Sequence, residues 1–137
     1  MLDKKIIEKI ETIAKKYNLL AVYLFGSQVT GDIGPLSDFD FGVVTNKNLS
    51  VEEEIALHNE FDSLFDKPVD VIIINDAGLD IAYEIIRTGV KIYVENDEKL
   101  IDFEYKLMRE YLDFEYILEM YSRETRRWIN EIKGSSR

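Results

Sequence analysis

The stretch from Ala21 to Val44 restricts this chain more than any other. An apolar run, Ala21-Val22-Tyr23-Leu24-Phe25, stops at Gly26-Ser27. A glycine-punctuated loop follows, and a second apolar strand then opens with acids at i and i+2, Asp38 and Asp40. Side chains alternate faces along a strand, so the two carboxylates project to the same side. They repel each other unless a cation or a shared proton compensates. Hard oxygen ligands of this kind suit Mg²⁺, which also takes phosphate oxygens into its shell. The pattern predicts a metal site beside a phosphate-holding Gly-Ser turn.

The elements around it read in order. Ile6, Ile7, Ile10, Ile13, Ala14 and Tyr17 have helical spacing, with Asp3 as N-cap and Asn18 as a left-handed stop. Leu19 to Phe25 is a buried strand, with Val22 and Leu24 on one face and Tyr23 and Phe25 on the other. The loop from Gly26 to Ser37 holds three of the seven glycines, and Asp38 to Thr45 is the second strand. Ser50-Val51-Glu52-Glu53 has capping-box form and opens a helix running to about Phe65, which Asp66-Lys67-Pro68 ends. Val69 to Ile74 is β-branched and nearly all apolar, predicting a central strand covered on both faces, with Asp70 at its start. A short helix from about Leu79 to Thr88 and a strand from Val90 to Val94 complete the core.

From about Asp97 to Ile132 the chain is helical, with no Gly or Pro before Gly134. Leu100, Phe103, Leu107, Tyr111, Phe114, Leu118, Tyr121, Thr125, Trp128 and Ile132 recur at steps of three and four. Unbroken, such a helix is about 50 Å long and outruns a small domain, leaving part of its stripe for another surface. A break near Asp113 would instead fold two shorter helices back on the sheet.

The expected architecture is α/β, with a mixed, twisted sheet of about four strands, helices on one side and a long helical C-terminus. Residues 1–96 form the core, and 97–137 a helical extension of the same domain that serves partner binding or self-association. At 137 residues, 46% hydrophobic and 32% charged, the chain reads as one soluble globular domain. No apolar run reaches the roughly 20 residues of a membrane span, and the N-terminus lacks a signal-peptide core. The absence of cysteine fits a cytoplasmic protein. A net charge of −10 argues against DNA or RNA, whose binding rests on Lys and Arg contacts.

Gly26-Ser27, ten intervening residues, Asp38-Phe39-Asp40, and then Asp70 on an apolar strand resemble the nucleotidyltransferase superfamily of DNA polymerase β. The small size is similar to its minimal nucleotidyltransferases, which are typically encoded beside a helical HEPN-class partner as toxin–antitoxin pairs. The resemblance spans about residues 20 to 94. It implies that Gly26 and Ser27, with Ser37, hold the phosphates of a nucleotide donor, ATP, in agreement with the Gly-Ser turn. It also implies that Asp38, Asp40 and Asp70 bind two Mg²⁺ ions, an arrangement able to stabilise the attacking and leaving oxygens of an in-line displacement. Asp70 either binds the ion on the attacking hydroxyl or accepts its proton. The implied activity is transfer of AMP to a tyrosine of a HEPN-type toxin, which neutralises it, within a hetero- or homo-oligomer.

The chain departs from the family at Thr30, where many members carry Arg. No Lys or Arg lies between Gly26 and Val44, so phosphate charge is left to Mg²⁺ and backbone. Two other functions fit: a binding antitoxin or regulatory subunit with an idle site, and a small-molecule adenylyltransferase of the aminoglycoside-modifying sort. Plainer roles for the residues are a turn aspartate at Asp38, a strand-entry acid at Asp70 capped by Lys67, and a packing histidine at His58.

Overall fold

The structure, a computed structural model, describes residues 2–26, Val29 and residues 39–135. The elements are α1 (Lys4–Lys16), β1 (Leu19–Phe25), β2 (Phe39–Thr45), α2 (Val51–Asp62), β3 (Val69–Ile73), a 3₁₀ turn (Ile74–Asp76), α3 (Leu79–Thr88), β4 (Val90–Val94) and α4 (Asp97–Ser135). Local chemistry sets several of these boundaries. Asp3 accepts from Ile6 N at 2.9 Å to start α1, and Asn18 takes φ +55° just beyond its end. Ser50 and Glu53 form the reciprocal capping box of α2.

The sheet runs β3-β2-β1-β4, with β1 antiparallel to both neighbours and β2 parallel to β3. Two expectations change here. Strand β3 lies at an edge of the sheet, because apolar side chains report that both faces are covered and say nothing of the strand's lateral place. Helices also cover both faces, not one. On one, Ile10, Ile13 and Ala14 of α1 and Leu57 and Phe61 of α2 meet Leu19, Val22, Leu24, Phe41, Val43 and Val69. On the other, Ala82 and Ile85 of α3 and Leu100 of α4 meet Leu20, Ala21, Tyr23 and Val44. A bulge at Leu20-Ala21 points both residues to the second face, which lets a nearly all-apolar strand serve two cores. Gly42 admits the second layer closely: a Cβ there would lie 2.9 Å from Ile85 Cγ2 and 3.0 Å from Ile74 Cδ1.

Helix α4 is continuous over 39 residues, about 58 Å at the helical rise. Its first three turns are tied to the sheet. Tyr23, fully buried, donates to Glu104 at 3.0 Å, and Glu104 pairs with Lys91 at 3.0 Å. Burial first, then the Glu104 charge, drives the Tyr23 phenol well above its ordinary pKa, so it stays a donor. Tyr111 stacks on Tyr83 with centroids 3.9 Å apart. Beyond that point Leu118, Tyr121, Trp128 and Ile132 are exposed, Trp128 at 63%. No helix among the described residues is long and apolar enough to cross a membrane.

Candidate active site

Three strand ends bring the site together. Strand β1 exits through Phe25 into Gly26, which sits at φ +79°, a left-handed conformation that glycine adopts without the Cβ penalty. The Val29 N–H donates to Gly26 O at 3.0 Å, turning the chain directly after the strand. Beside this turn, Asp40 of β2 is half-buried and is the cross-strand partner of Phe25. A Cβ built on Gly26 would collide with Asp40 Oδ2 and lie 3.2 Å from its Cγ, so the backbone of the turn and the carboxylate are in close approach. The glycine is demanded twice over, by torsion and by space.

On the other side of Asp40, in the parallel ladder, stands Asp70 of β3. Register partners on neighbouring strands point to the same face about 4.8 Å apart. The structure thus gathers Gly26, Asp40 and Asp70 at one end of the sheet. Ser27, Ser37 and Asp38, the remaining expected site residues, lie outside the described residues, as does Thr30. Among the described residues no group of three His, Cys, Asp or Glu side chains is placed to hold a metal.

Asp40 and Asp70 are neighbouring carboxylates on one face, and Asp70 is exposed to solvent. Among the described residues no ion pair joins Lys67 to Asp70, which removes one ordinary reason for an acid at this strand entry. Oxygen donors in this arrangement fit a hard divalent cation such as Mg²⁺, and the donor set lacks the nitrogen and sulfur that softer metals favour.

Behind the acids the opposite face is aromatic. Phe39 stacks on Phe65 (centroids 4.1 Å, 23°), and Phe65 stacks on Phe41 (5.8 Å), which leans on Phe61 (5.0 Å). The Phe39 N–H donates to Pro68 O at 3.0 Å. His58 Nε2–H donates to Val69 O at 2.8 Å, fastening the residue just before Asp70. Its role is therefore structural, as the plainer reading expected, although a specific bond and not packing alone defines it. Sequence reasoning missed this support layer. The signal was present in Phe39, framed by two acids, and Phe65, five residues before Asp70.

Solved structures share this architecture. A chain of a toxin–antitoxin crystal structure with AMP-PNP superposes with TM-score 0.74 at 20% identity, covering 87% of this chain and 97% of that one. A chain from the complex of the tri-AMPylated Shewanella oneidensis HEPN toxin with MNT antitoxin gives 0.71 at 17% identity, covering 90% and 98%. Spectinomycin adenyltransferase AAD(9) from Enterococcus faecialis, with ATP and spectinomycin, gives 0.52 at 19% identity, covering 80% of this chain and 64% of that one. At such identities the likeness is one of fold. Among curated protein sequences none matches. The family assignment comes from the sequence itself: residues 8–98, which include all four strands and the whole acid-bearing segment, match the family described as polymerase beta, nucleotidyltransferase. This chain belongs to the polymerase β nucleotidyltransferase family.

Proposed function

We propose that this chain moves AMP from ATP to a hydroxyl, that of a tyrosine on a HEPN-type protein partner, and so acts as the antitoxin of that partner. The observation that carries the reading is the pairing of Asp40 with Asp70 on adjacent parallel strands beside Gly26, in a chain of this family. Asp38, Asp40 and Asp70 would hold Mg²⁺, with Gly26, Ser27 and Ser37 on the donor phosphates. When bound, Mg²⁺ supplies charge neutralisation for the phosphates and for the developing negative charge of displacement. The acceptor oxygen attacks the α-phosphorus, the bond from that phosphorus to the pyrophosphate oxygen breaks and pyrophosphate leaves; Asp70 serves the attacking hydroxyl, either through the ion bound to it or by taking its proton. The Gly26 turn brings backbone directly against the Asp40 carboxylate, a close approach that a residue with a Cβ would not allow.

Supporting the partner assignment, similar folds come from a toxin–antitoxin structure with AMP-PNP and from a complex holding an AMPylated HEPN toxin. We place the catalytic core in residues 1–96 and a partner or self-association surface in 97–137. The cysteine-free composition supports a cytoplasmic setting. One observation favours a second reading, a binding antitoxin with an idle site: Thr30 stands where an arginine could meet phosphate. One experiment separates the two. With Mg²⁺ and α-labelled ATP, wild-type chain should label its neighbour-encoded partner, and Asp40→Asn should lower labelling by at least about a hundredfold while still binding the partner. If Asp40→Asn neutralises the partner as well as wild type does, the covalent mechanism is wrong and the binding reading stands.

A further inference from the structure

We propose that Phe65 is a positioning residue that sets the spacing of the site carboxylates across strands β2 and β3. The inference rests on the metal-site reading above and goes beyond it, because Phe65 meets the rings of Phe39 and Phe41 on the face of the sheet opposite Asp40.

Phe39 stands directly before Asp40 in β2, and strand alternation sends its ring to the face opposite that carboxylate. There the ring is half-buried and lies on Phe65, 4.1 Å between centroids at 23°. The same Phe65 ring also touches Phe41, 5.8 Å away, so one side chain grips the residues on both sides of Asp40. Phe65 belongs to the connection from α2 to β3, and the short tether Asp66-Lys67-Pro68-Val69 leads from it to Asp70. The Phe39 N–H bond to Pro68 O fixes the same connection to the same strand a second time, at 3.0 Å. Ring stack and backbone bond together lock the segment that carries Asp70 to the strand that carries Asp40.

This lock matters because β3 is an edge strand. Its neighbour β2 restrains it from one side only, and the β2–β3 ladder starts at Phe39–Val69, one residue before the Asp40–Asp70 pair. Strand ends at a sheet edge fray, and here fraying would separate the two carboxylates. Carboxylates that share a hard cation tolerate little displacement, so outer residues that orient ligands change metal affinity without touching the metal.

The test uses the full chain and Mn²⁺ alone, its affinity read by electron paramagnetic resonance, beside thermal melting. Phe65→Leu keeps an apolar side chain and removes the stack; it should weaken Mn²⁺ binding about tenfold. Phe65→Tyr keeps the ring and should restore affinity to within about twofold of wild type. Ile10→Val, a mild truncation of the same core outside the aromatic ladder, should lower the melting temperature and leave Mn²⁺ affinity within about twofold. The inference is overturned if Phe65→Leu binds Mn²⁺ like wild type, or if Ile10→Val weakens binding as much as Phe65→Leu does. If wild type does not bind Mn²⁺, or binds it no better than Asp40→Asn, the metal-site reading itself fails and this inference falls with it.

Discussion

At the residue scale, Gly26 and Asp40 carry the most consequence per atom. Alanine at position 26 would have to hold φ +79°, which costs about 1–2 kcal/mol for a residue with a Cβ. Its methyl would also displace the Asp40 carboxylate. Gly26→Ala should therefore lower the melting temperature by about 3–6 °C and cut nucleotidyl transfer well beyond what that destabilisation explains. Asp40→Asn, by contrast, should melt near wild type and still lose transfer. A second pair of residues far from the acids gives a pH signature. Tyr17, buried, donates a hydrogen bond to Glu60, which also meets Lys16 at 3.2 Å. Burial, then Glu60, pushes the Tyr17 phenol up to about 12, and the Tyr17 bond holds the Glu60 carboxyl below its ordinary range. The neutral phenol is favoured in the folded chain, so its contribution is full below about pH 10 and lost as pH rises toward 12. The Glu60 contribution is present above its unfolded value of 4.5 and lost as pH falls through its lower folded value. Tyr17→Phe should cost about 1 kcal/mol at neutral pH, and its gap from wild type in thermal melts should narrow at both extremes.

At the scale of elements, periodicity made most of the fold legible. Asp3, Asn18 and Ser50 marked helix ends through backbone chemistry that needs no tertiary contact, and each element sits within a few residues of its expected place. Apolar composition could not tell edge from centre for Val69–Ile73: helices flank it on both faces, yet only Val69 is buried and Val71, Ile72 and Ile73 are half-buried, as an edge position leaves them. The apolar side chains on both faces of β1, Val22 and Leu24 against Tyr23 and Phe25, already implied two covered faces; which helix goes to which face is a matter of tertiary packing that periodicity does not carry. Of the site, the order Gly26, Asp40, Asp70 was readable along the chain. Their convergence needed the β2–β3 register, which is a property of pairing. The Tyr23–Glu104–Lys91 link was likewise invisible, joining residues 81 apart in the case of Tyr23 and Glu104. It is the polar anchor of α4. Tyr23→Phe should destabilise the chain by about 1–2 kcal/mol, measured by denaturant unfolding, because Glu104 loses a donor in a largely enclosed place. Lys91→Met should cost less, since its ammonium is about half exposed.

At the scale of the whole molecule, the question is what the far half of α4 is for. A 39-residue helix whose distal turns touch none of the two cores gains nothing from burial, and helical propensity alone leaves such a segment marginal. Its composition also differs from the rest. Residues 119–137 hold five Lys or Arg against three Asp or Glu, in a chain of net charge −10. Tyr121, Trp128 and Ile132 continue the apolar stripe that Leu100, Phe103 and Leu107 bury proximally, and there the stripe is exposed. Apolar side chains at an assembly interface and apolar side chains merely left in water make opposite predictions for a double substitution, Tyr121→Glu with Trp128→Glu. Both positions are exposed, at 72% and 63%, so the folded monomer should lose no more than about 0.5 kcal/mol and melt at the wild-type temperature. Two charges placed in an assembled apolar contact would cost several kcal/mol, enough to lower affinity at least about a hundredfold. Light scattering on the chain alone and co-purification with the neighbour-encoded partner should thus show the double variant dissociated, with its melting curve unchanged. A variant that assembles as wild type does would place the interface elsewhere, and one that melts early would mean the distal helix packs on its own domain.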